Sequence, residues 1–370
     1  MSKKNDQHED QVETPEETPV SVSVQKDEDE GVLYLGIDLG TSRTSVSASN
    51  GVRETVASFV GYPKDVVSRK LLKKEVLFGD EAVEKRLSLD FYRPLEHGVL
   101  KNSDDQGGDY NSNLKAARDL IGEIIRRAKP RKDELVYAVI GAPAQASINN
   151  KEAIIDAAKE TVDSVMLCSE PFSVAYGLDM LDDVLVIDIG AGTTDLCRMH
   201  GTMPEDSDQI TITHAGDWVD NRLSELLLEK HPEAQFTIQM IKQWKERFSS
   251  VLPEMEPAIV NIPVNGKPTQ FDITHELREA CQGIVGPMVE GLGQLVSTFD
   301  PEFQDKLKNR VLLAGGGSQI KGLDTAIELE MHERLGGGKV IRVEEPVYGG
   351  ANGALKIAHD MPGDYWEKLK

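Results

Sequence analysis

Two short stretches of this chain, 150 residues apart, carry the same chemical pattern: IDLGTSRT at 37–44 and IDIGAGTT at 187–194. Asp38 matches Asp188, Gly40 matches Gly190, and Thr44 matches Thr194. Glycines let main-chain N–H groups approach phosphate oxygens closely and take turn conformations closed to other residues, and Thr and Ser hydroxyls add further donors. Two such turns facing one another make a phosphate clamp. A carboxylate at the strand end before each turn is poorly placed beside phosphates unless a divalent cation lies between them. Mg²⁺, which keeps several waters and takes one or two carboxylates, supplies that charge, so Asp38 and Asp188 are the candidate metal-side residues. The competing reading of Asp188 is a turn cap whose loss merely destabilises the fold. A third cluster, Gly315, Gly316, Gly317 and Ser318 in RVLLAGGGSQIKGL, gives a flat surface suited to a nucleoside. Each loop alone also fits an ordinary packing turn; their combination and order point to a nucleotide. Neither GxxxxGK[ST] nor GxGxxG occurs.

A repeat period of this length indicates duplicated domains facing each other, since solenoid repeats are far shorter. VLYLGIDLG reads as a buried strand entering a tight turn. SNLKAARDLIGEIIRRA places Leu114, Ala117, Ile121, Ile124 and Ala128 on one helical face, with Pro130 as a stop. Strand LVYAVIGAP, a helical pattern over 147–163, strand VMLC and strand DVLVIDIG follow, an alternation that predicts parallel pairing. Residues 216–280 read as an inserted subdomain with a helix from Gly216 and a hairpin turning at Asn265-Gly266. In SEPF, Pro171 suits the first position of a helix, so Glu170 sits at the helix mouth, either facing the cleft or simply stabilised by the helix dipole. The expected organisation is a disordered acidic tail over 1–30 and a first domain over 31–170 with a subdomain at about 53–110. A second domain covers 171–345 with its insertion at 216–280, and 346–370 returns to the first.

Hydrophobic content of 39% and charged content of 28% are ordinary for a soluble globular protein. The formal net charge of −22 repels a phosphate backbone, and no basic stretch interleaved with aromatics offsets it, which argues against direct binding to nucleic acid. Part of that charge is local: residues 1–30 hold ten acids against three lysines and almost no large apolar side chains. No run of about 20 apolar residues offers a membrane span, so direct membrane insertion is not expected. The start MSKKNDQHED lacks the apolar core of a secretion signal, and a cytoplasmic address is expected. Cys168, Cys197 and Cys281 are odd in number and widely spaced, as reduced core residues are.

With these motifs quoted, the chain resembles the actin, heat-shock-70 and sugar-kinase superfamily: GIDLGTSRT is similar to its first phosphate loop, VIDIGAGTTD to its second, and LLAGGGSQIKGL to its adenosine loop. FVGYPKDVVSRKLLKKEVLFGDEA, YRPLEHGVL, CSEPFSVAYGLD and GDWVDNRL are similar to the magnetosome-associated bacterial actins over essentially residues 31–370. That resemblance implies an α/β actin-like ATPase fold, in which two duplicated ribonuclease-H-like domains face across a nucleotide cleft. It implies ATP and Mg²⁺ as cofactors, phosphates held by Gly40, Thr41, Ser42, Gly190, Gly192, Thr193 and Thr194, hydrolysis assisted by Glu170 and Asp188, and Mg²⁺ held through water by Asp38 and Asp188. Lys245 and Glu246 in QWKERF would meet the ribose, although a solvated helix face explains that pair equally well. Gly216 resembles the glycine turn that flanks the nucleotide. The implied partners are further copies of the chain in a cytoplasmic filament, together with magnetosome-associated proteins. Two rivals stand beside this reading. A heat-shock-70 chaperone would need a peptide-binding domain beyond Lys370, and a small-molecule kinase would need an acceptor-activating Asp near a sugar-shaped pocket.

Overall fold

The strand patterns become two five-stranded sheets built on one plan. A computed structural model describes residues 31–101 and 110–369; the expected tail over 1–30 and part of the expected subdomain at about 53–110 lie outside the described residues. The first sheet runs Ser164–Ser169, Leu135–Ala142, Val32–Leu39, Arg43–Ala48, Arg53–Ala57. The second runs Val340–Arg342, Val311–Ala314, Val184–Ile189, Thr194–Met199, Gln209–Ile212. In each, the first three strands in sequence form an antiparallel meander and the last two join in parallel. The predicted parallel pairing therefore holds for only part of each sheet. The reason is loop length: Leu39 pairs with Thr44 and Ile189 with Thr194, which leaves too few residues for a crossover, so each Asp-x-Gly turn is a hairpin turn.

Side chains alternate across a strand, and this alternation sorts the core into layers. Leu33, Leu35, Ile37 and Leu39 face an outer core shared with Ala117, Ile121 and Ile124 of helix Tyr110–Arg127. Leu185, Ile187 and Ile189 face a second outer core on the far side of the other sheet. The opposite faces meet in a central layer that holds Tyr137, Val139, Val184, Val186, Cys197, Met199, Leu312 and Ala314. Asp38 extends the central row begun by Val32 and Tyr34, and Asp188 extends the row of Val184 and Val186. Glu170 follows Met166 and Cys168, and Asp195 precedes Cys197 and Met199, with the same parity. Period two thus delivers Asp38, Asp188 and Asp195 to the rim of one apolar layer, and the helix that begins at Glu170 adds a fourth carboxylate there.

Two helices occupy that layer, Glu170–Gly177 and Gly349–Asp360, and they cross at backbone contact. A Cβ on Gly353 would lie 1.7 Å from the Ser173 carbonyl oxygen, and one on Gly177 would lie 2.9 Å from Gly353 Cα. Gly353→Ala is accordingly expected to lower unfolding free energy by about 1–3 kcal/mol or more in urea titration, because the clash is with main chain that has no rotamer to give. Gly363→Ala, with nothing within 4 Å of the added atom, is the control and should stay within about 0.5 kcal/mol of the parent. Equal stability of the two variants would show that the crossing does not hold the layer together.

Helices Gly216–Lys230 and Ile238–Phe248 and the hairpin Ile259–Val264/Lys267–Asp272 build the insertion beside the second sheet. Asn265 and Gly266 both take left-handed φ, 50° and 77°, as the two-residue turn requires. Trp366 of the last helix, Gly363–Lys368, is buried and stacks on Tyr137 with ring centroids 5.1 Å apart. Among the described residues no helix is long and apolar enough to cross a membrane.

Candidate functional site

A cavity of about 450 Å³ opens where the two hairpin turns meet the central layer. Asp38, Gly40, Thr41 and Ser42 line it from the first turn, and Asp188, Gly190, Gly192 and Thr193 from the second. Glu170 enters from the mouth of its helix; Gly216, Lys245 and Glu246 enter from the insertion, and Gly315, Gly316 and Gly317 from the third turn. The sequence reading also placed Thr194 and Ser318 against the ligand, and the structure gives them other work. The Thr194 hydroxyl donates to the His214 carbonyl at 2.8 Å, and the Ser318 hydroxyl donates to the Gly315 carbonyl at 2.7 Å. Both residues are fully buried and neither lines the cavity, so they brace turns whose exposed backbone does the lining.

The turns press together closely enough to demand small residues. A Cβ on Gly192 would fall 2.6 Å from Thr41 Oγ1 and 2.7 Å from His97 Cα. Thr41 Oγ1 in turn accepts from the Gly98 N–H at 2.7 Å, and His97 Nδ1 lies 2.9 Å from the Gly192 carbonyl oxygen. Gly315 has φ 76°, and a side chain there would collide with Asp188 Oδ1 at 2.3 Å, whereas a Cβ on Gly316 would meet nothing within 4 Å. The third turn therefore offers bare backbone to the cavity.

Lys245 is not on a solvated helix face. Its ammonium donates to the Gly216 carbonyl at 2.7 Å and pairs with buried Asp220 at 2.9 Å. Glu246 is half exposed and pairs with Arg43 at 3.7 Å.

The carboxylates repel one another in poor solvent. Removal from water pushes Asp38 up to about 6. Burial, then the charges of Asp195, Asp38 and Asp188, hold Glu170 well above the usual carboxylate range. Burial, then Asp38 and Asp195, do the same to Asp188. Asp195 is raised by burial although Thr211, Thr193 and the Ala144 N–H donate to it, and its Oδ2 is buried with no hydrogen-bond partner. Such a cluster calls for positive charge. Among the described residues no three acidic, histidine or cysteine side chains group as a direct metal site. The bare glycine backbone of three turns and the uncompensated acids fit a nucleotide with its divalent ion.

This geometry has counterparts. A sequence model of the MreB/Mbl protein family matches residues 33–363. The chain belongs to the MreB/Mbl family. The actin-like protein MamK of Paramagnetospirillum magneticum is 40% identical over 337 residues, 91% of this chain and 95% of that protein. A solved MamK double helical filament superposes with a TM-score of 0.85 at 40% identity, covering 89% of this chain and 99% of that one. A non-polymerising point mutant of MamK bound to AMPPNP superposes at 0.66 with the same identity and coverage. The MreB/Mbl chain described here therefore has the actin-like fold, with the two duplicated sheets that its sequence repeat announces.

Several lining or bracing residues of this family member escape the motif reading. The turn His97-Gly98 carries left-handed φ values of 50° and 69° between strands Leu95–Glu96 and Val99–Leu100, and the glycine of that pair, between Leu95 and Val99, is the available signal. Asp195, two residues before Cys197 on the same strand face, could have been found by extending the alternation that places Asp188. Arg93 and Asp217 lie in YRPLEHGVL and GDWVDNRL, but neither those segments nor the surroundings of Lys242 state a role, because tertiary contact alone brings the three to the site.

Proposed function

We propose that this chain is an actin-like ATPase that polymerises with ATP into filaments, with hydrolysis driving filament turnover. The observation that carries the reading is the convergence of two matched Asp-x-Gly hairpin turns and a triple-glycine turn on one acid-rimmed cavity. Support comes from the relatives, which are named as filaments and as bound to AMPPNP at 40% identity.

On this reading the N–H groups of Gly40–Ser42 and Gly190–Thr193 hold the phosphates, and Gly315–Gly317 lies against the nucleoside. Lys245 and Glu246 stand at the ribose side. Asp38 and Asp188 hold Mg²⁺ through its waters, and when bound the ion supplies charge neutralisation along the phosphates. Glu170, kept basic by burial and then by its acidic neighbours, accepts a proton from the attacking water and aligns it. The domains 31–170 and 171–345 are the bodies that close around the cleft, and the crossing of the Glu170–Gly177 and Gly349–Asp360 helices is their hinge. The kinship with MamK extends the proposal to filaments that organise or position magnetosomes through partner proteins.

High-speed pelleting tests the reading. The full chain should sediment with ATP and Mg²⁺, stay soluble without nucleotide, and release phosphate as polymer turns over. Moderate salt should help, because screening over about 10 Å at 0.1 M relieves repulsion between strongly acidic subunits. A chain that binds ATP yet never sediments would overturn the filament reading, and one that transfers phosphate to an added sugar would replace it with a kinase.

A further inference from the structure

We propose that Arg93 is a positioning residue that fixes the separation of the two phosphate turns and so retains the bound nucleotide. This rests on the nucleotide reading above. Arg93 sits just after strand Leu89–Tyr92, in neither hairpin turn, yet its guanidinium touches the first turn directly and is linked to the second through Asp217. Nε donates to the Thr41 carbonyl of the first turn at 3.0 Å. Nη2 donates to both carboxylate oxygens of Asp217, at 2.9 and 2.7 Å. Asp217 belongs to helix Gly216–Lys230, and its own N–H donates to the Ala191 carbonyl of the second turn at 2.7 Å. The neighbouring Gly216 N–H donates to the Gly190 carbonyl at 3.1 Å.

One planar cation thus closes a chain of hydrogen bonds from Thr41 to Ala191 across the cavity. The pair is three-quarters buried, with side-chain exposures of 27% and 25%, so bulk water does little to weaken it. A second, parallel tie exists at Lys242, whose ammonium meets the Ser42 hydroxyl. That tie is a point contact to one hydroxyl, whereas the Arg93 fork holds a carbonyl and a carboxylate in fixed directions. Lysine cannot reproduce this fork. Phosphates gripped by two turns leave only when the turns part, and parting them stretches the Thr41–Arg93–Asp217–Ala191 chain.

The test uses the full chain with Mg²⁺ and a fluorescent ATP analogue, together with hydrogen exchange on protein free of nucleotide and metal. Arg93→Ala and Arg93→Lys should each raise the analogue's dissociation rate about tenfold, the loss of one charge-assisted fork, with association little changed. Asp217→Asn should act in the same direction, and Arg93→Ala/Asp217→Asn should be no faster than Arg93→Ala alone, because both changes cut one chain. Exchange should rise in 38–44 and 189–194 and stay at parental levels in the outer cores. Unchanged dissociation in both Arg93 variants, additive effects in the double variant, or exchange raised evenly over the whole chain would overturn the proposal. Should the parent fail to bind the analogue at all, the nucleotide reading falls, and parental exchange at both turns in Arg93→Ala would refute the tie itself.

Discussion

Replacing Glu170 by glutamine should slow phosphate release by about 10² to 10⁴ while leaving filament formation with ATP intact. The case rests on position and environment together. Glu170 opens its helix with Pro171 behind it and lines the cavity. A helix N-terminus favours a carboxylate, worth some tenths of a kcal/mol, and on its own would keep Glu170 acidic. Burial and the acids at 195, 38 and 188 win over that dipole and hold its proton affinity high, as a general base requires. Glutamine keeps the shape and removes the base. Since the hairpin turns that grip phosphate do not depend on residue 170, binding and assembly should survive, and filaments that cannot hydrolyse should persist. Phosphate release and light scattering followed on one sample check this. Unimpaired release would end the assignment; loss of assembly in a variant as stable as the parent would place Glu170 in a subunit contact instead.

The part of this site that the sequence discloses is the part whose chemistry is written locally. Asp38, Gly40, Asp188 and Gly190 recur at one offset, and strand alternation then dictates which face each Asp occupies, so their meeting at one cavity follows from period two and a duplicated plan. The Asn265-Gly266 turn is legible for the same reason, since two residues that tolerate left-handed φ follow the run IVNIPV. Thr194 and Ser318 mislead because a hydroxyl beside a glycine turn can donate either to a ligand or to the turn's own carbonyls, and in a buried setting the carbonyls win. The antiparallel half of each sheet is hidden in loop length rather than residue type. Arg93, Asp217 and Asp195 fall inside YRPLEHGVL, GDWVDNRL and VIDIGAGTTD, yet no role can be read for them there because each derives its meaning from a partner more than 15 residues away: Arg93 from Thr41 and Asp217, and Asp195 from Glu170. The Lys245 ammonium is similar. Its spacing along the helix is that of an exposed face, and only the insertion's fold buries it against Asp220.

The crowding of acids around the cavity also sets how the protein's stability should respond to pH and Mg²⁺. Asp38 rises from an ordinary 3.8 to about 6, so between those values the folded state binds a proton that the unfolded chain has released. Linkage then makes stability fall as pH rises through this window, and the full penalty is present above about 6. A shift of that size corresponds to about 3 kcal/mol, and Glu170 and Asp188 act in the same direction. Carboxylates held low elsewhere, such as Asp208 beside Arg198 and Glu328 beside Lys339, work in the opposite sense, but their gain is complete once pH exceeds their ordinary values of 3.8 and 4.5. From about pH 5 upward the cavity acids should therefore dominate. Urea unfolding in chelator should show stability falling from about pH 5 to about pH 7, by about 1.4 kcal/mol from Asp38 alone because about one unit of its window lies above pH 5, with Glu170 and Asp188 adding to the fall and Mg²⁺ restoring most of it at the upper end by neutralising the cluster. Asp38→Asn and Asp188→Asn should each flatten the profile, become more stable than the parent at neutral pH in chelator, and respond less to Mg²⁺. These variants separate the metal role from the turn-capping one, because loss of a cap destabilises at every pH and leaves the Mg²⁺ response untouched. A parent whose stability is level from about pH 5 to about pH 7 in chelator, or an Asp188→Asn variant with the full Mg²⁺ response, would refute the reading of these acids as the place where the cation is held.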